Sequence, residues 1–85
     1  MPKSWYIDPR LDPRTEQYKQ GLALVAEQIQ DVPSSELEEA LTEEDHPLFL
    51  RLQKAVQAAV GANEFFAGQI VVSAMEDELG FRGLL

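Results

Sequence analysis

The sequence predicts an all-α protein: a small bundle of three main helices plus one short helix, with an extended N-terminal arm. Three observations predict it. Apolar residues recur at three- and four-residue spacing along separate stretches, the period of one helical face. Proline, serine, asparagine and glycine stand where such helices would start and stop. The β-branched run Ile70-Val71-Val72 would suit a strand, but it is flanked by alanine, methionine and glutamate and has no partner strand.

Trp5-Tyr6-Ile7 and the tandem Asp8-Pro9-Arg10, Asp12-Pro13-Arg14 open the chain. Two prolines this close exclude a helix across them, so residues 1–12 are expected to be extended or turned, with the aromatic pair folded onto the body. Asp12 suits an N-cap and Pro13 a first helical position, which starts a helix over 13–30. Its stripe is Tyr18, Leu22, Val25 and Ile29, with Ala26 beside them. Gly21 costs this helix about 1 kcal/mol relative to alanine, and a close helix crossing is one reason to keep it.

Asp31-Val32-Pro33 breaks the pattern, and Ser35 with Glu38 forms a capping-box signature for a short helix over 35–42, of which only Leu37 and Leu41 face inward. Thr42 to His46 reads as an acidic connection. Pro47 begins the cleanest amphipathic helix, 47–60, with Leu48, Phe49, Leu52, Val56, Ala59 and Val60 on one side, Arg51, Lys54 and Gln57 on the other, and Gly61 as a left-handed cap. The last helix is expected over 63–79, between an Asn63 cap and a Gly80 stop. Phe65, Val72, Met75 and Leu79 line one face and Phe66 and Ile70 nearly the opposite one, so this helix is central in the fold or meets a second chain. Phe81 is expected to pack back on Met75 across Gly80, leaving Leu84 and Leu85 spare.

At 85 residues, with no cysteine and 45% hydrophobic residues, the chain reads as one domain with a modest core. A reducing, cytoplasmic setting is the expectation, with no secretory signal and no apolar run of the ~20 residues a membrane span needs. The net charge of −8 is concentrated. Residues 27–45 hold Glu27, Asp31, Glu36, Glu38, Glu39, Glu43, Glu44 and Asp45 and no basic residue, while the rest of the chain is nearly balanced. No basic stripe is present for a phosphate backbone, so direct nucleic-acid binding is not expected. Glu76-Asp77-Glu78 opposes the dipole of the last helix and calls for cations, from Arg82, from Arg10 or Arg14, or from a partner.

No nucleophile turn, catalytic histidine pair or phosphate loop is present, so no enzyme activity and no cofactor are expected. The expected function is binding of another protein with a basic surface, as an adaptor, assembly factor, regulator or accessory subunit. Glu36, Glu38, Glu39, Glu43, Glu44 and Asp45 supply the charge, and Phe66, Ile70, Phe81, Leu84 and Leu85 the apolar contact. A two-fold homodimer through the last helix is a further expectation. Two alternatives have their own signals. Carboxylates can mimic nucleic-acid phosphates, although mimics spread their charge widely. Glu43 and His46 have the Glu-x-x-His spacing of helical metal-carboxylate sites, although Pro47 spoils the shared face.

Overall fold

A computed structural model describes residues 13–43 and 45–84. The expectations for the N-terminal arm, for Trp5 and Tyr6, and for Glu44 and Leu85 lie outside the described residues. Among those described the protein is all-helical, with four helices: α1 (Pro13–Gln28), α2 (Ser34–Thr42), α3 (Pro47–Val60) and α4 (Glu64–Phe81). Helix α4 is the shared partner, packing against α1, α3 and α2, while α3 also meets α1 and α2.

The stripes read from the sequence build the core. Val25, Ile29, Leu37, Leu52, Val56, Ile70, Val71, Met75 and Leu79 are fully buried, and Tyr18, Leu22 and Val72 are half-buried against them. No polar or charged side chain is buried among the described residues. The two-faced pattern of α4 resolves into a central position. Ile70, expected on an outward face, is fully enclosed, because α1 crosses α4 at Gly21: a Cβ there would lie 2.8 Å from Ile70 Cγ2 and 3.3 Å from Val56 Cγ1. Ala59, expected on the inner face of α3, is exposed.

Helix ends differ from expectation in three places, each for a local reason. Helix α1 stops at Gln28 rather than Gln30, since Pro33 pushes Val32 out of helical conformation and the chain turns early. The capping box does not form. Helix α2 starts one residue sooner, at Ser34, with Pro33 in the cap position and the Pro33 carbonyl accepting from the Glu36 and Leu37 N–H groups. Ser35 thus falls inside the helix and has no cap to make. Helix α4 runs through Gly80 to Phe81. The left-handed turn is taken by Gly83 (φ +82°), with Leu84 N–H donating to the Leu79 carbonyl and Gly83 N–H to Gly80, a Schellman ending. As the helix continues, Phe81 lies about 240° around from Met75. It therefore cannot fold back on it, and is 89% exposed.

Two caps are as read: Gly61 ends α3 at φ +76°, and Asn63 Oδ1 accepts from the Phe66 N–H at 2.7 Å. The N-terminal cap of α3 was not read from the sequence: His46 Nδ1 accepts from the Leu48 N–H at 3.1 Å. Arg82 answers the acids before it. Its Nε donates to Glu78 at 2.8 Å, Nη1 to the Val32 carbonyl and Ser34 Oγ, and Nη2 to the Ile29 and Gln30 carbonyls.

Two sets of variants test this account. Gly21→Ala is expected to lose about 1–2 kcal/mol despite alanine's better helix propensity, because the β-branched Ile70 cannot swing aside; Gly80→Ala, with nothing within 4 Å of its Cβ, is expected to gain about 0.5–1 kcal/mol. Urea unfolding curves decide both signs. Arg82→Ala is expected to cost about 1–3 kcal/mol in the same assay, with Arg82→Lys in between, because an ammonium keeps the charge but not the fork.

Candidate functional site

Helix α2 is short, yet it sets the geometry of the surface. Its first residue is held to the end of α4 by Arg82 and Ser34, and Leu37 and Ala40 are buried under it. Near its far end, Ala40 and Leu41 reach the first half of α4. There the two helices and the start of α3 enclose an open groove of about 590 Å³, lined by Leu41, Phe49, Leu50, Phe65, Gly68 and Val72, with Gln53, Glu64 and Gln69 along its sides. Depth follows exposure: the Phe49 ring is nearly buried at the floor, Leu50 is 40% exposed and Phe65 is 70% exposed at the lips. Gln53 Nε2 donates to the Glu64 carbonyl at 2.9 Å and closes one side.

The outer side of α2 and the connection to α3 carry the charge. Glu36, Glu38, Glu39, Glu43 and Asp45 are all exposed. Among the described residues the one basic group within 4 Å of these carboxylates is His46, whose Nε2 lies 3.8 Å from Glu39 Oε2. Glu64 adds a carboxylate in the groove wall itself. The Glu43-x-x-His46 spacing does not make a shared helical face, since Glu43 is extended beyond α2 and His46 is extended before α3, with Nδ1 already taken by the Leu48 N–H. No group of three metal-ligating side chains is gathered among the described residues.

The apolar half of the expected site is rearranged. Ile70 belongs to the core, and Phe66 is half-buried, stacked on Tyr18 of α1 with ring centroids 6.4 Å apart. The outward face on which a homodimer through this helix was expected is thus largely covered by the bundle. Phe81 and Leu84 are exposed, but at the other end of α4: Phe65 and Phe81 are separated by about 24 Å of helix. Leu50 and Phe65 take the place of Phe66 and Ile70 as free apolar surface beside the acids. The sequence held a signal for Leu50, which falls off the Phe49, Leu52, Val56 stripe, but none for Phe65.

No family model, curated protein or solved structure matches the chain. No helix among the described residues is long and apolar enough to cross a membrane.

The division between core and surface on α4 is measurable. Ile70→Ala is expected to destabilise the protein by about 2–5 kcal/mol, whereas Leu50→Gln and Phe65→Gln should each change stability by less than about 0.5 kcal/mol. Thermal and urea melts showing the reverse order would put Ile70 on the surface.

Proposed function

We propose that the chain is a non-catalytic interaction protein that recognises a basic surface of another protein, acting as an adaptor, assembly factor, regulator or small accessory subunit. One observation carries the reading. Five described carboxylates, from Glu36 to Asp45, are exposed on one short helix and its connection, and that helix also forms a wall of an open, mainly apolar groove. Concentrated charge of one sign speeds encounter with the opposite sign, and an adjoining apolar surface supplies the affinity that exposed ion pairs do not. A reducing, cytoplasmic setting suits a cysteine-free chain of this kind. Self-association through α4 is not part of the proposal, because Ile70 is enclosed and Phe66 is occupied by Tyr18.

The test is affinity capture at about 50 and 300 mM salt, with wild type and a variant in which the acids of 36–45 become their amides, a range over which screening length falls roughly from 14 to 6 Å. The same partner is expected to be lost in the variant and at high salt. Retention of every partner by the neutralised variant would exclude the acidic stretch as the recognition element.

A further inference from the structure

The groove itself points to the shape of what it takes. All three walls are helices and no strand edge is present among the described residues, so an extended segment laid there would find no ladder of main-chain groups to pair with. A helix brings its own hydrogen bonds and needs only side-chain pockets. Phe65, Gly68, Gln69 and Val72 present two turns of α4 to the groove, about 10 Å, the length over which an amphipathic helix offers apolar residues at i, i+3 or i+4, and i+7. Gly68 opens the floor. A side chain there would begin 3.2 Å from Gln53 Nε2 and 3.7 Å from the Phe49 ring, so its absence leaves that ring available to an inserted side chain.

Charge selects among the possible occupants. Glu64 lines the groove, and α2, which forms one wall, carries the exposed Glu36, Glu38 and Glu39, with Glu43 just past its end. A second copy of the chain docking by the same face would bring carboxylate to carboxylate, whereas a segment with lysine or arginine beside its apolar stripe meets opposite charge. We infer that the groove between α2, α3 and α4 is the docking site for a short amphipathic helix of a partner protein, apolar on one face and basic along its flanks. The inference deepens the proposed function and rests on its acidic surface for the choice of a basic partner.

The probe is a dye-labelled leucine–lysine peptide of about four turns, patterned as an amphipathic helix, titrated with the 85-residue chain by fluorescence anisotropy. Two controls accompany it: a lysine–serine peptide of equal charge, and the leucine–lysine peptide with a central proline. The amphipathic peptide is expected to bind about tenfold or more tightly than either control, and Leu50→Gln/Phe65→Gln to abolish that advantage while circular dichroism shows the fold intact. Neutralising Glu36, Glu38, Glu39 and Glu43 is expected to weaken both lysine peptides. Equal binding of the two lysine peptides, both lost on neutralisation, would overturn the groove and leave the acidic surface standing. A leucine advantage that survives neutralisation, but not the Leu50/Phe65 double variant, would keep the groove and discard the acidic reading. Undiminished binding of the proline peptide would overturn the helical occupant. Sedimentation showing a dimer that the double variant dissociates would assign the groove to a second copy and also overturn the inference.

Discussion

Helix α4 has apolar side chains around most of its circumference, and the chain hides them by laying three other helices against it. Ala67, Ile70, Val71, Ala74, Met75 and Leu79 are all buried, and they point toward more than one neighbour. With no cysteine in the chain and no fully buried polar side chain among the described residues, the core is defined by this packing. Volume changes along α4 should therefore be felt directly, as in any close-packed interior. The tightest point is where α1 crosses at Gly21. The residue with least side chain meets one of the largest buried ones, and the helix accepts a propensity penalty of about 1 kcal/mol to allow the approach.

Arg82 solves a second problem created by the same arrangement. Pro33 forbids α1 from continuing smoothly into α2, which leaves carbonyls at Ile29, Gln30 and Val32 without helical partners. A guanidinium has five donors in a fixed fork, and Arg82 directs them at these carbonyls and at Ser34, about fifty residues away in sequence, and at Glu78, four residues before it. One side chain thus caps α1, anchors the start of α2 and offsets the unfavourable charge at the end of α4. Ser34, the first residue of α2, accepts from Arg82 and ties that helix start to the end of α4.

What was legible in the sequence was whatever depends on spacing along one helix. The stripes through Tyr18–Ile29 and Leu48–Val56, the caps at Gly61 and Asn63, and the close crossing at Gly21 are local or nearly local facts. Features that depend on which helix covers which face were not legible. Periodicity could place Phe66 and Ile70 on a second face of the last helix, but not that α1 would lie over it. Nor could it separate Gly80 from Gly83 as the stop, because a glycine is tolerated in a helix and the ending is decided where the carbonyls of Leu79 and Gly80 find their donors. The acidic half of the candidate site was plain from composition. Its apolar half was not, since Leu50 and Phe65 are exposed only relative to a fold that had yet to be assembled.

The placement of the acids carries its own physical consequence. Helix α2 has nine residues, too few to persist alone, and its carboxylates stand close enough for mutual repulsion within a screening length of about 8 Å. Glu36 in the first turn suits the helix dipole; Glu39 and the following Glu43 oppose it. The helix is held against that repulsion by the burial of Leu37 and Ala40 and by Arg82 at its first residue, while its charged side gains nothing from the rest of the described chain beyond His46. A cationic ligand on that side would remove the repulsion without disturbing the buried contacts, so its binding free energy would appear as added stability of α2. Stability and recognition are then linked at this element, and neutralising the carboxylates should act on the two in opposite directions: a firmer helix, and a weaker hold on a basic partner.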